Sequence, residues 1–229
     1  MRNALVTGAS RGLGLAVARA LAARGWSLVV DARGAEALEA ARRELASYTR
    51  VAAIVGDVAD ADHRRDLVAA VDGPLDLVVN NASTLGVSPL PALADYPAEA
   101  LEQVFRVNVV APLALIQLAL PVLAPGARIV NVSSDAAVSA YEGWGGYGAS
   151  KAALDQLTNV LAAEREDVRV YAVDPGDMNT RMQQDAYPAE DVSDRPPPEE
   201  SVPGLLTLIE GELPSGRYAA RELALPVHA

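Results

Sequence analysis

An α/β fold, a doubly wound parallel sheet of about seven strands with helices on both faces, is predicted by three observations. Short apolar strands alternate with segments of helical periodicity along the whole chain, the pattern that builds parallel sheets. The first strand runs into a glycine-rich turn that opens a helix, and a second strand closes the unit within the ~30 residues such a strand–helix–strand unit takes. The chain has 229 residues, of which 51% are hydrophobic, so it can build one large core. One domain over residues 1–229 is the expected organisation, with no internal repeat and no low-complexity segment.

Asn3-Ala-Leu-Val-Thr7 is the first strand, and Gly8-Ala-Ser-Arg-Gly-Leu-Gly14 is the turn. Leu13, Val17, Ala20 and Leu21 then share one face of a helix that closes at Gly25. Trp26 to Val30 is the second strand. An Ala/Glu/Arg-rich amphipathic helix follows over 34–48, a third strand over Val51 to Val55, and a helix from Asp60 to Val71. Leu75 to Val79 makes the fourth strand, ending Asn80-Asn-Ala-Ser83. A long helix is expected from Tyr96 to Leu123, kinked where Pro112 has no N–H to give the carbonyl of Asn108. The fifth strand, Ala127 to Val132, delivers Ser133-Ser134 to its C-terminal edge, where ligands bind in open parallel sheets. A helix over 147–164 and a sixth strand over Val168 to Val173 come next. Residues 194–200, Asp-Arg-Pro-Pro-Pro-Glu-Glu, read as a stiff connector to a short helix ending near Glu210. Gly216 to Leu223 is expected to be the last strand.

Composition narrows the function classes. A formal net charge of -11 argues against nucleic acid or an anionic membrane as the main partner. Without cysteine there are no disulfides and no thiol chemistry, which suits a cytoplasmic protein, and no metal is expected. The apolar run Val107 to Leu123 is broken by Asn108, Pro112, Gln117 and Pro121, so it does not read as a membrane span. The strand at residues 4–7 leaves no room for a signal peptide.

The chemistry gathers at Tyr147-Gly-Ala-Ser-Lys151. Of the 19 Lys and Arg residues, only Lys151 is a lysine. On a helix Tyr147 and Lys151 stand one turn apart on one face. A cation beside a phenol favours its anion and is expected to bring the Tyr147 pKa down towards neutrality. A tyrosine so tuned exchanges a proton with an alcohol or carbonyl oxygen. At the other end of the chain, the glycine turn offers bare backbone N–H groups and a positive helix terminus to a pyrophosphate.

Thr7-Gly-Ala-Ser-Arg-Gly-Leu-Gly14, taken with Tyr147-x-x-x-Lys151, resembles the classical short-chain dehydrogenase/reductase family, a Rossmann fold, over residues 3 to 222. The resemblance implies a catalytic set of Asn108, Ser134, Tyr147 and Lys151. Ser134 is chosen over Ser133 because it lies thirteen residues before Tyr147, and Asn108 is expected to hold a water that links Lys151 to solvent. It implies cofactor contacts from Gly8, Ser10, Arg11, Gly12, Leu13 and Gly14 in the turn, and from Asp57 and Val58 beside the adenine. Asn81 and Ala82 are expected at a ribose, with Ser83 where the family carries Gly. Tyr147 and Lys151 also reach the cofactor, and Pro175, Gly176 and Thr180 hold the nicotinamide carboxamide.

At the adenosine ribose the signals conflict. An acidic residue there suits NAD, and an arginine suits NADP. Ala32 occupies the usual acidic place; Asp31 lies one residue earlier, where a strand points its side chain to the opposite face. Arg33 and Arg11 match the basic positions of NADP-binding relatives, so NADP(H) is favoured over NAD(H). Substrate loops are expected at 83–95, 135–146 and 177–200. Their Tyr141, Trp144, Met178, Met182 and Tyr187 suggest an apolar or aromatic-tolerant carbonyl compound, with Asp135 as a polar contact. The expected activity is that of a carbonyl reductase or alcohol dehydrogenase on a small or medium ketone, aldehyde or secondary alcohol. The alternative is a catalytically silent nucleotide-sensing or scaffold protein on the same fold. Apolar positions in excess of one stripe on the helices at 98–123 and 147–164 predict a homodimer or homotetramer.

Overall fold

The computed structural model describes residues 1–223. Seven strands form one sheet: β1 (Asn3–Val6), β2 (Ser27–Ala32), β3 (Val51–Val55), β4 (Leu75–Asn80), β5 (Leu123–Val132), β6 (Arg169–Asp174) and β7 (Gly216–Ala219). Their order is β3-β2-β1-β4-β5-β6-β7, and every neighbouring pair is parallel. The order reverses between β1 and β4, so the loops leaving those strands diverge and open a crevice at their C-terminal ends.

Alternation along the strands supplies two cores. Ala4 and Val6 face one way with Leu28, Val30, Leu77 and Val79, and they are covered by Val17 and Leu21 of α1 (Gly12–Ala22) and Leu205 and Leu208 of α8 (Val202–Glu210). Leu5, Val29 and Val78 face the other way, against Leu67 of α3 (Ala61–Ala69) and Leu115 of α5 (Ala111–Ala119). Covered on both faces, these strands need unbroken apolar runs, which is how they read in the sequence. The remaining helices are α2 (Ala35–Leu45), α4 (Ala98–Phe105), α6 (Gly145–Glu164), α7 (Arg181–Ala186) and α9 (Ala220–Leu223).

The element boundaries depart from expectation at three places. The long helix begins at Ala98 and is divided: α4 passes into a π-helical turn at Arg106–Val110, then α5, then a 3-10 turn at Leu120–Val122. Pro112 stands where it cannot serve Asn108, and the backbone absorbs the missing bond as a π turn. The segment Ala98–Val122 is long and apolar enough to cross a membrane by length and composition, but its buried side chains, among them Val104, Leu115 and Ile116, pack within the protein. β5 starts at Leu123 rather than Ala127. Only Gly216–Ala219 of the expected last strand is extended, and Ala220–Leu223 turns into α9, so β7 is short and its residues pair with β6 alone.

Candidate functional site

The glycine turn is built by long-range bonds that the local motif does not announce. Thr7 Oγ1 accepts from the backbone N–H of Asn81 and of Ala82, both at 3.0 Å. Asn81 Nδ2 donates back to the carbonyls of Thr7 (2.9 Å) and Gly8 (3.2 Å). The turns after β1 and β4 are thereby stitched into one unit. Gly8 takes φ +68°, and a Cβ at Gly14 would come within 2.4 Å of the Gly8 carbonyl oxygen. Nothing larger than hydrogen fits at Gly14 while α1 starts this close to the turn. Arg11, at the N-cap of α1, makes no side-chain cap bond, which leaves the helix's first N–H groups open towards the crevice.

Asp31 lines the crevice, but its carboxylate is already engaged within the protein. It is 1% exposed; one carboxylate oxygen accepts from the Gly8 N–H at 2.7 Å and the other lies 2.9 Å from His63 Nε2. Gly56 admits that imidazole, since a Cβ there would meet His63 Nδ1 at 2.2 Å. The side chain therefore points as the one-residue offset predicts, into the protein beneath the turn. Sequence reading gave no sign of His63 as its partner. Arg33 and Arg11 are exposed and stand on the wall of the crevice, which Asp57 and Val58 also line. Asp57 Oδ1 accepts from the Ala59 N–H at 2.9 Å, and Arg64 donates to the Val58 carbonyl at 2.5 Å, so this edge is fixed.

The crevice has a volume of about 790 Å³. It runs from Arg33 past Ser10, Gly12 and Leu13 to Asn81, Ala82, Tyr147 and Lys151, with Pro175 and Thr180 on the opposite wall. A smaller cavity of about 200 Å³ adjoins it and shares Ser133 and Tyr147. Its walls include Tyr141, Trp144, Met178, Met182 and Tyr187, the five apolar or aromatic residues expected of the substrate loops, together with Ser134, Asp135 and Gly176. Ser133 Oγ, 1% exposed at this junction, has no hydrogen-bond partner among the described residues. A bare glycine cradle, a crevice of this length and an unmet buried hydroxyl at its inner end are what a dinucleotide would fill.

α6 sets Tyr147 and Lys151 on one buried face, 8% and 2% exposed. Lys151 Nζ donates to the Val132 carbonyl at 2.7 Å and lies 5.4 Å from the Tyr147 ring centroid. Burial pushes the lysine down to about 8. Asp155, one turn further along α6, acts the other way. Tyr147 does not move as the sequence suggested. Burial drives its phenol well above the ordinary value, the Asp174 and Asp135 carboxylates add to the rise, and the Ser83 and Ser134 hydroxyls oppose it. Desolvation of the phenolate exceeds any help from an ammonium that is spent on a carbonyl.

Asn108 is fully buried and its amide is completely engaged. Oδ1 accepts from Ser83 Oγ (3.1 Å) and Thr84 N (2.9 Å), while Nδ2 donates to the Thr84 carbonyl and Ser150 Oγ, each at 2.9 Å. It lies behind the crevice wall and braces the Ser83–Thr84 turn against α6. Ser83, the departure from the family's glycine, is thus a partner of Asn108 and a neighbour of the phenol. Ser134 Oγ donates to Asp135 Oδ1 at 2.9 Å and accepts from the Ala136 N–H at 3.1 Å. Gly176, at φ +75°, gives its N–H to Asp174 Oδ1 at 2.9 Å, and Thr180 caps α7.

A switch-point crevice ending in a buried Tyr–Lys pair defines an oxidoreductase of the dinucleotide-binding α/β class. Comparison with known proteins narrows this. The family model described as short chain dehydrogenase matches residues 2–191. The chain is 38% identical over 193 residues to the rhamnolipids biosynthesis 3-oxoacyl-[acyl-carrier-protein] reductase of Pseudomonas aeruginosa, covering 79% of this chain and 74% of that protein. It is 33% identical over 195 residues to a benzil reductase ((S)-benzoin forming) of Saccharomyces cerevisiae, covering 79% and 73%. The alcohol dehydrogenase of the archaeon Thermococcus sibiricus, solved with 5-hydroxy-NADP, superposes with a TM-score of 0.86 at 26% identity, covering 100% of each chain. The chain belongs to the short-chain dehydrogenase family. It is an NAD(P)-dependent oxidoreductase acting on CH–OH or C=O groups, which removes the silent-sensor alternative.

Proposed function

We propose that this protein is an NADP(H)-dependent carbonyl reductase or alcohol dehydrogenase of small or medium ketones, aldehydes or secondary alcohols, working in the cytoplasm. One observation carries the reading: Tyr147 and Lys151 are buried on one face of α6 where the long crevice meets the aromatic-walled cavity. Ser10, Arg11 and Gly12 would hold the pyrophosphate, Asp57 and Val58 the adenine, and Asn81 and Ala82 a ribose. Pro175, Gly176 and Thr180 would hold the carboxamide. A nicotinamide held by these residues would supply, or take up, the hydride at the substrate's carbonyl carbon.

The chain's own residues handle the proton and the orientation. Tyr147, held protonated by its burial, donates to the carbonyl oxygen during reduction and takes the proton back during oxidation. Lys151 brings a positive charge to the phenol, and it is part-neutral just above pH 8. Ser134 rotates its hydroxyl from Asp135 to the substrate oxygen and fixes it beside Tyr147. Asn108 acts from behind, through the Ser83–Thr84 turn. Trp144, 5.5 Å from Tyr147 ring to ring, and Tyr187 give the cavity an apolar wall suited to an aryl or alkyl group.

NADP(H) preference is supported by the exposed Arg33 and Arg11 on the crevice wall, while the carboxylate of Asp31 on the same wall is taken up by the Gly8 N–H and His63. Self-association is supported by the outward faces of the π turn and α6. Of the nine apolar positions that carry the expectation, Val104, Val107, Leu115 and Leu154 are absorbed by the protein's own core and Leu157 and Leu161 are half-buried, leaving Ala152 exposed and Val110 and Val160 at 55% and 43% exposed. The reading is tested by following NADPH oxidation across a panel of aryl and alkyl ketones and aldehydes, repeated with NADH. Turnover of at least one panel member is expected, with Tyr147→Phe reducing it about 10²–10⁴-fold while cofactor still binds. Wild-type turnover in that variant refutes the role of Tyr147.

A further inference from the structure

We infer that Arg217 is a positioning residue of this site: one guanidinium on β7 sets Ser134, the Tyr147–Lys151 face of α6 and the turn after β6 at fixed separations. The inference rests on the proposed roles of Ser134, Tyr147 and Lys151. The segment after β5, the second half of α6 and the end of β6 converge on this side chain. Nη2 donates to the Ser134 carbonyl at 2.9 Å, Nε donates to Asp155 Oδ2 at 3.0 Å, and Nη2 stands 3.7 Å from Asp174 Oδ2. The side chains of Arg217, Asp155 and Asp174 are 29%, 11% and 14% exposed, so water screens these contacts only in part.

Each bond bears on a different group of the site. Ser134 lies two residues beyond β5, at the start of the Asp135–Ala137 turn, and the Arg217 bond clamps the peptide from which its hydroxyl projects. Asp155 lies one turn beyond Lys151 and two beyond Tyr147 on α6. Its second oxygen has no partner among the described residues, so Arg217 is what keeps this buried carboxylate compensated. Asp174 gives its other oxygen to the Gly176 N–H and so leads into the Pro175-Gly176 turn. A planar fork serves two acceptors at once, in a way a single ammonium does not.

The arrangement also has an electrostatic consequence. Asp155 is the charged group that acts on Lys151, Asp135 after β5 and Asp174 at the end of β6 act on the neighbouring Tyr147, and Arg217 pairs with Asp155 and stands 3.7 Å from Asp174. Asp155 favours the ammonium form of Lys151, and Arg217 offsets that charge. Loss of Arg217 alone leaves Asp155 unopposed and moves the alkaline limb of activity upward. Loss of Asp155 alone moves it downward.

The test uses the full-length protein with the best substrate of the ketone panel. Arg217→Leu, Arg217→Lys, Asp155→Asn and the double variant are measured as kcat, KM and cofactor Kd from pH 6 to 10. Arg217→Leu is expected to lower kcat about 10²-fold, the usual cost of a misplacement near 1 Å, with cofactor Kd within a few fold of wild type. Its alkaline limb should shift upward, and adding Asp155→Asn should reverse that shift. Arg217→Lys should return the limb to near its wild-type position without recovering kcat, since one ammonium cannot serve both oxygens. An unshifted pH profile in every variant, or wild-type kcat in Arg217→Lys, overturns the inference. If Arg217→Leu does not fold, the downward limb shift of Asp155→Asn and the unrecovered kcat of Arg217→Lys still decide it. Tyr147→Phe, run alongside, separates the two failures: full activity there sinks the reading of the site, whereas an inactive Tyr147→Phe with a fully active Arg217→Lys sinks the positioning role alone.

Discussion

Replacing Lys151 with Met should abolish turnover in the presence of cofactor and change how the stability of the cofactor-free protein depends on pH. The lysine is 2% exposed, and burial lowers its pKa from 10.5 to about 8. At 1.36 kcal/mol per pKa unit, folding with the ammonium buried costs about 3 kcal/mol. The folded protein holds this proton less tightly than the unfolded chain, so the cost is fully present below about pH 8 and is relieved as pH rises towards 10.5. Methionine has a similar length and carries no charge, but it leaves the Val132 carbonyl without its 2.7 Å donor. An unsatisfied buried acceptor costs about 1–3 kcal/mol. At pH 7 the two terms leave Lys151→Met between roughly equal to wild type and about 2 kcal/mol more stable. The pH slope is the sharper observable, because the lost hydrogen bond is common to every pH. Between pH 7 and 10 wild type should gain about 2–3 kcal/mol relative to the variant. Urea denaturation of cofactor-free protein at unit pH steps measures this. Tyr147 stays protonated in the folded state and an unfolded phenol is about half-ionised at pH 10, a contribution common to wild type and variant, so the series stops there. A wild-type-to-variant difference that stays constant from pH 7 to 10 would refute the claim that Lys151 is desolvated.

Two further predictions concern the cofactor and the assembly. NADP⁺ should raise the melting temperature more than NAD⁺, since the tighter ligand stabilises by RT ln(1 + [L]/Kd), and Arg33→Ala should erase the difference. Equal shifts in the wild-type protein would count against Arg33 as the phosphate partner. Light scattering at micromolar concentration should give a dimer or tetramer mass; a value of 23.9 kDa, the mass of one chain, would refute self-association and leave the chemistry untouched.

How much was legible in the sequence can be argued residue by residue. The fold class follows from local pattern: apolar strands such as Leu5–Val6 and Val29–Val30 alternate with helices such as α1, and chains of that kind bury a parallel sheet on both sides. The pairing of Tyr147 with Lys151 follows too, because helical spacing is a local property. So does the turn at Gly8–Gly14, where the glycines are required by close approach. The break at Asn108 was readable from Pro112, although a kinked helix was expected and a π turn is what formed.

Other features depended on which strands became neighbours. β1 lies between β2 and β4, and only that order brings Asp31 under Gly8, with His63 behind it, and ties Thr7 to Asn81. Ser83 meets Asn108, and Arg217 reaches Ser134 and Asp155, across separations of 25, 83 and 62 residues that no periodicity records. The direction of the Tyr147 shift was missed for the same reason. Spacing along α6 shows that a lysine is near, but how much water the phenol loses depends on the loops that close over it from Ser83, Ser134 and Trp144. The sequence by itself determined the elements and the residues of the candidate site, since both are encoded within a few turns of chain. Only the tertiary structure decided what those residues touch and how they hold their protons, because burial and charge act through space between segments far apart in the chain.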